Sequence, residues 1–354
     1  PDASSGDADA LLSEVGARDG EDRVACRGGD RLVARLTVDD DHSSPDAQQP
    51  LSVRGDGAYV LTGGLTGLGL TTARWLVTRG ARQVVLLGRR SPSADALAAI
   101  ADMEAAGAAI RTAQVDVGDE AALSALLNEV RAEMGPIRGV MHAAGVLDDG
   151  ILSELTTDRI AKVLAPKVRG GWALHRLTLD DPLDFFVLFS SVASLLGSAG
   201  QGNYAAANGF LDGLAHYRRA RGLPALTVNW GSWADVGMAA GVGEDHHRRW
   251  AAVGLEMITQ ESGMEMLSQM LASGARPQIA AVPMVLSKLP ATLGKFYEGL
   301  LVQTTEAPQA AATVNMAAEL EAVDAAERPA LLRTLLADEV ARVMALPAGQ
   351  RVSA

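Results

Sequence analysis

Cysteine is nearly absent from this chain: its 354 residues include one, Cys26. A disulfide within the chain is therefore impossible, and no cysteine-based metal site is expected. One free thiol fits a reducing compartment, so we expect a cytoplasmic protein. Aromatic residues are also scarce, at 4% against 48% hydrophobic. The core must then be built from Ala, Val and Leu, which suits parallel strands buried beneath helices. No apolar run reaches the ~18 residues of a membrane span. The opening Pro1-Asp2-Ala3-Ser4-Ser5 lacks the basic and apolar regions of a secretion signal, and it also lacks an initiator methionine, so a piece of a longer polypeptide is expected. Positive charge is in deficit: 31 Lys and Arg stand against 43 Asp and Glu, a net charge of −12. That balance argues against nucleic acid as a partner, while leaving room for one local basic pocket.

What is present is a rhythm of strand and helix. Residues 1–57 read as a polar preface with one strand-like piece, Arg31 to Leu36, and an acidic Ser/Pro/Gln-rich linker from Asp39 to Pro50. From Ala58 short apolar strands alternate with helices. Strands are expected at Ala58–Thr62, Gln83–Leu87, Ile110–Val115, Gly139–Ala143, Leu183–Ser190, Ala225–Trp230 and Gln278–Val282. Helices are expected from the glycine turn to Arg79, over Ala94–Ala106, Glu120–Met134, Ser153–Leu177 with a break at Pro166, and Tyr204–Arg221. Repeated βα units with short loops predict an α/β fold, a doubly wound parallel sheet of Rossmann type. Gly231 to His247 interrupts the rhythm after a strand end and reads as a mobile lid, with an ordinary surface loop as the alternative. We expect a catalytic domain over 58–290, a linker over 291–315 and a helical tail over 316–354.

After the first strand comes Thr62-Gly63-Gly64-Leu65-Thr66-Gly67-Leu68-Gly69 and then a helix. Glycines let backbone approach a pyrophosphate, and a helix N-terminus offers amides and partial positive charge. Alone such a turn is a weak signal; between a first strand and a helix it points to a dinucleotide. The second strand ends in Gly88-Arg89-Arg90, where an acid would favour NAD. Arginines there favour the extra phosphate of NADPH, although a solvated pair is the plainer reading. Asp116 and Val117 follow the third strand, where adenine would lie. His142-Ala143-Ala144-Gly145 follow the fourth, with small residues where the nicotinamide ribose needs room.

Tyr204 and Asn208 stand four residues apart, so a helix of about 3.6 residues per turn puts them on one face. A tyrosine hydroxyl, with an ordinary pKa of about 10, donates a proton to a carbonyl oxygen only with help from a cation and hydrogen-bond partners. Ser191, Lys167 and Asn208 are residue types that supply such help. Each has a bland alternative: a helix-capping serine for Ser190 or Ser191, a solvated lysine, a structural amide, a half-buried aromatic. Together, behind a dinucleotide turn, they form the equipment of a carbonyl reductase.

These stretches resemble the short-chain dehydrogenase/reductase superfamily, and more closely the ketoreductase domain of modular polyketide synthases. The resemblance rests on Thr62 to Gly69, His142 to Asp149, Phe189-Ser190-Ser191 and Gly200 to Asp212, and covers about Ala58 to Pro290. Ordinary members carry lysine four residues after the tyrosine; this chain has Asn208 there and its lysine at Lys167, as in the polyketide and fatty acid synthase branch. The resemblance implies NADPH-dependent reduction of a β-ketoacyl thioester borne on an acyl carrier protein, among neighbouring synthase domains. Tyr204 would donate the proton, Ser191 would bind the carbonyl oxygen, Lys167 would lower the tyrosine pKa, and Asn208 would position Lys167 or a relay water. Leu147-Asp148-Asp149 resembles the B-type stretch associated with a D-hydroxyl. Leu196 stands where the opposite type has tryptophan, and Ala199 where epimerising B-types have proline. Together with Gln201 these mark the substrate-steering positions, unless Asp148 and Asp149 merely cap the next helix.

Two departures stand out. Thr66 occupies a position that is usually glycine, and most of the family's N-terminal structural subdomain is absent, with Val24 to Leu36 resembling its last strand. Leu331 to Ala354 resembles the opening helix of an acyl carrier domain and stops before any Asp-Ser-Leu attachment motif. A free-standing reductase of small ketones, or a redox-silent epimerising or scaffolding domain, are the alternatives.

Overall fold

The computed structural model describes residues 5–17, 19–39, 53–236, 254–274, 276–289, 294–301, 323–324 and 327–334. By contacts the chain divides into two compact units, one comprising residues 1–40, 242–256 and 284–354, the other 41–241 and 257–283. Much of the expected lid, the linker at Thr304 to Val314 and most of the C-terminal helix lie outside the described residues; of the last, 328–334 is helical.

The first unit corrects the expectation of a polar preface with one strand. Helix α1 (Ser5–Gly16) precedes a hairpin of β1 (Val24–Arg27) and β2 (Asp30–Val33), paired antiparallel from Val24 opposite Val33 to Arg27 opposite Asp30. Gly28-Gly29 makes the two-residue connection, a pair suited to the tight turn that matches strand twist. The strands are short and largely exposed, so they lack the apolar run that flagged the others. Residues distant in sequence complete the unit: the Leu36 amide donates to the Phe296 carbonyl at 2.7 Å, and the Arg23 guanidinium lies 3.8 Å from the Phe296 ring centre.

The second unit is the parallel α/β sheet. Its strands are β3 (Ala58–Thr62), β4 (Gln83–Gly88), β5 (Ala109–Gln114), β6 (Ile137–His142), β7 (Phe185–Ser191), β8 (Leu226–Trp230) and β9 (Gln278–Ala281). They lie in the order 5-4-3-6-7-8-9, every pair parallel. The order reverses between β3 and β6, which opens a crevice at their C-terminal ends, where such sheets bind ligands.

Alternation along each strand sends side chains to opposite faces. Tyr59, Leu61, Val84, Leu86, Val187 and Val228 pack on α2 (Gly67–Thr78), α3 (Ala94–Ala105) and the helix Gln260–Ser273. Val60, Val85, Leu87, Val140, Phe186 and Leu188 pack on α4 (Glu120–Met134), α6 (Gly170–Leu177) and α8 (Gly202–Arg219). The core is mostly Ala, Val and Leu, and aromatics join it, with Tyr59, Trp75, Phe185, Phe186, Phe189, Trp230 and Trp233 buried while Trp172 and Tyr217 are exposed. Large rings fill wide gaps that branched aliphatics leave between strands and helices.

The break at Pro166 takes a specific form. Helix α5 (Thr157–Leu164) runs through a π-helical turn, Ala165–Arg169, into α6. Proline has no amide hydrogen to donate, and a widened turn accommodates that loss within a continuing helix. No described helix is long and apolar enough to cross a membrane.

Candidate active site

The seven strands of the parallel sheet point the same way, so their C-terminal ends form one edge, and the sequence-predicted residues gather there. Thr62 ends β3 and Gly63 follows it, Arg89 and Arg90 follow β4, Asp116 follows β5, His142 to Gly145 end and follow β6, and Ser191 closes β7.

At the glycine turn, Gly63 has φ +67°, and a Cβ there would come within 3.0 Å of Ala143 and Ala144 backbone. Gly69 has no room at all: a Cβ would meet the Gly63 carbonyl oxygen at 2.2 Å. The first turn of α2 is thus pressed against the loop it leaves, which keeps its free amides beside β3. Gly64 donates its amide to the Leu87 carbonyl at 3.1 Å, tying the turn to β4 and the arginines that follow. Thr66, the departure from glycine, has φ −150° and ψ 160°, extended backbone open to any residue, and is exposed. Gly67 and Leu68 begin the helix beyond it. Arg89 and Arg90 are both exposed.

His142 departs from its expected place against a cofactor. Its ring is fully buried, with Nδ1 in a 2.6 Å hydrogen bond to Thr62 Oγ1, so it fastens β6 to β3 from within. Thr62 Oγ1 also accepts the Ala144 amide at 3.2 Å. Burial, and then the Lys167 charge, hold the imidazole down at about 3, so it is neutral. Val117 likewise faces inward, against the backbone of Gly170, while exposed Asp116 accepts the Gly118 amide at 2.8 Å.

Ser191, Tyr204, Asn208 and Lys167 converge from β7, α8 and the π turn. Tyr204 is 9% exposed and Asn208 wholly buried. Burial pushes the Tyr204 phenol up, hydrogen bonding to Asn208 and Ser191 opposes this, and Asp149 adds to the rise. Ser191 Oγ accepts the Ala193 amide at 3.2 Å, which leaves its own proton to donate elsewhere. Asn208 donates to the Tyr204 carbonyl at 2.8 Å, while its buried Oδ1 has no hydrogen-bond partner.

Lys167 is the surprise in a helix interrupted by proline: it is turned inward and 3% exposed. Its ammonium donates to the Phe189 carbonyl at 2.9 Å and lies 5.8 Å from the Tyr204 ring centre. Desolvation lowers the amine to about 8, with Asp212 pulling the other way. The groups acting on the phenol oxygen are therefore Asn208 and Ser191, and the lysine charge lies beside the ring.

The Leu147-Asp148-Asp149 stretch is tied into the same region. Leu147 packs with Tyr204, Val163 and Ala207. Asp148 pairs with Arg159 at 2.7 Å and Lys162 at 2.9 Å, and its carbonyl accepts from Asn203 at 2.9 Å. Gln201 donates to Asp149 at 2.8 Å. Neither aspartate caps the following helix; Thr156 caps α5 through its own side chain. Leu196 ends the short helix α7 (Ala193–Leu196) and is half-buried.

Sequence reasoning passed over Asp212, Asn229 and Ser194. Ser194 donates to Asp212 at 2.6 Å, Thr227 donates to it at 3.0 Å, and Asn229 donates to both its oxygens at 3.0 Å. A signal was available: Tyr204, Asn208 and Asp212 recur every four residues, hence on one helix face.

Fold and site together define a Rossmann-type oxidoreductase of the short-chain kind. Residues 57–235, just over half of the chain, match the KR domain family, and the chain belongs to it. It is 37% identical over 299 residues to a phenolphthiocerol/phthiocerol polyketide synthase of Mycobacterium tuberculosis, covering 82% of this chain and 13% of that protein. It is 38% identical over 340 residues to polyketide synthase GfsB of Streptomyces halstedii, covering 92% of this chain and 6% of that protein. The chain thus spans a small fraction of the curated relatives it matches. Among solved structures, an A1-type ketoreductase superposes with a TM-score of 0.74 at 34% identity, covering 84% of this chain and 63% of that one. An A-type ketoreductase from a modular polyketide synthase gives 0.72 at 36% identity, covering 81% and 59%.

Proposed function

We propose that this chain reduces a β-ketoacyl thioester, carried on an acyl carrier protein among other synthase domains, to the β-hydroxyacyl product at the expense of NADPH. The observation that carries this reading is the meeting of Ser191, Tyr204, Asn208 and buried Lys167 at the sheet edge that also holds the glycine turn. The turn fits a pyrophosphate: at Gly63 and Gly69 backbone stands where any Cβ would lie, and the α2 N-terminus faces the crevice. Arg89 and Arg90 are free to bind the phosphate that distinguishes NADPH from NADH. When bound, the reduced nicotinamide supplies a hydride to the substrate's β-carbon.

The chain's own groups manage the oxygen. Ser191, its Oγ already accepting from Ala193, donates to the substrate carbonyl and steadies developing negative charge. Tyr204 gives its phenolic proton to the forming alkoxide. The phenolate left behind is costly in so buried a place. Asn208 and Ser191 offset that cost through hydrogen bonds, and the Lys167 ammonium through its charge beside the ring. The lysine serves while protonated, so activity should decline as pH rises through about 8.

The product is proposed to be the D-hydroxyl, without epimerisation at the α-carbon. Leu147 packs against Tyr204, and Asp148 and Asp149 are anchored to α5 and α8, so this stretch limits the side from which substrate enters. The solved relatives named above are A-type; the assignment here rests on this chain's own residues. NADPH oxidation with a panel of β-ketoacyl thioesters, free and carrier-bound, followed by chiral chromatography, tests the whole reading. Absence of turnover refutes the activity, equal rates on free and carrier-bound substrate refute the carrier partner, and a predominantly L-hydroxy product refutes the stereochemistry.

A further inference from the structure

A carboxylate shut away from solvent sits behind the catalytic group. Asp212 is 8% exposed, one helical turn beyond Asn208 on α8. Each contact it makes brings a proton toward it: the hydroxyls of Ser194 and Thr227 and the amide of Asn229. Three side chains from α7 and β8 thus converge on one buried carboxylate. Asn229 in turn accepts from Gln278 at 3.0 Å, which orients its amide toward the carboxylate. The same two donors reach the active-site backbone. Ser194 Oγ, whose one proton is shared between Asp212 and this segment, lies 2.8 Å from the Ser191 carbonyl oxygen, and Asn229 lies 3.3 Å from it. Asn229 also donates to Ser190 Oγ at 3.1 Å, and Ser190 Oγ donates to the Asn208 carbonyl at 3.3 Å.

We propose that Asp212 is a positioning residue for the reduction: buried behind the catalytic group, its carboxylate places a negative charge on the Lys167 side of α8, and its cage with Asn229 and Ser194 fixes the Ser191 segment. This rests on the reading of Tyr204, Ser191 and Lys167 given above. The groups facing Lys167 are the neutral ring of His142 on β6 and, from α8, Tyr204 and Asp212; among these Asp212 alone supplies negative charge. Desolvation favours the neutral amine, and the carboxylate opposes it.

The test is the pH profile of kcat in purified wild type and Asp212→Asn, with NADPH affinity measured by fluorescence and folding by melting temperature. Wild-type activity should fall along an alkaline limb near pH 8. In Asp212→Asn that limb should move toward acid by about one pH unit, the scale on which losing an opposite charge shifts a neighbour. NADPH affinity should be unchanged. Asn229→Ala keeps the charge and loosens the cage, so it should lower kcat with the limb in its wild-type place. A folded Asp212→Asn whose limb coincides with that of wild type overturns the electrostatic role. Should Asp212→Asn fail to fold, an Asn229→Ala enzyme with wild-type kcat overturns the proposal. An inactive wild type instead overturns the reductase reading itself, so the two failures are distinct.

Discussion

Tyr204 illustrates how much one side chain depends on its surroundings. A buried phenol holds its proton more tightly than an exposed one, and the neighbours that relieve this come from β7, α8 and the π turn. Tyr204→Phe keeps the ring and its packing and removes only the hydroxyl that carries the proton. It is expected to lower kcat by roughly 10²–10⁴-fold with its fold and NADPH affinity intact, the scale of a positioned general acid. Steady-state rates on a β-ketoacyl thioester check this, and a wild-type rate overturns the assignment. Arg89 and Arg90, proposed above to hold the extra phosphate of NADPH, are both exposed. Replacing both with alanine is expected to raise KM for NADPH by about 10- to 100-fold and leave NADH little changed. Charge-assisted bonds of about 1.5–3 kcal/mol set that range. Equal effects on both cofactors would remove the arginines from the phosphate site.

Two short elements hold the site in shape. The π turn at Ala165–Arg169 swings Lys167 into the protein, where the sequence marks a break at Pro166 and leaves a solvated lysine as the bland alternative. The direction the lysine takes depends on α8 and β7 packing over it. The glycine turn was legible because its residues have few other uses in that order. What the letters did not carry is why Gly69 is required: the Gly63 carbonyl oxygen stands 2.2 Å from where a methyl on Gly69 would sit. Gly69→Ala must push apart backbone from backbone. The expected cost is about 1–3 kcal/mol, as for overpacked interiors, with a lower melting temperature and weakened NADPH binding. An unchanged melting temperature and affinity would mean that the turn yields. Of the β1–β2 hairpin the sequence flagged only Arg31 to Leu36, which overlaps β2; the pairing with β1 went unread because both strands are four residues long and neither is buried.

Across the whole α/β unit, stability depends on keeping some buried groups neutral. Arg218, fully buried, donates to His175 Nδ1 at 3.0 Å and stacks on Phe186 at 3.8 Å. Only neutral imidazole can accept there. Burial and then the Arg218 charge depress His175 to about 4 from an ordinary 6.5. Between those values the unfolded chain binds a proton that the folded chain refuses. Stability is therefore full above about 6.5 and declines as pH falls toward 4. His175→Gln keeps an acceptor for Arg218 without a titrating ring, and should flatten the melting temperature's dependence on pH across that window. A decline parallel to wild type would locate the acid sensitivity elsewhere, His142 being the next candidate at about 3.

Hydrophobic runs, alternation and glycines determined the seven parallel strands, the dinucleotide turn and the four side chains offered for catalysis, because these follow from local chain chemistry. Only tertiary packing decided that Lys167 points inward, that His142 is a buried fastener, and that Asp212 underlies the site. Desolvation and long-range contact assign those roles, and neither is written in any residue's near neighbours.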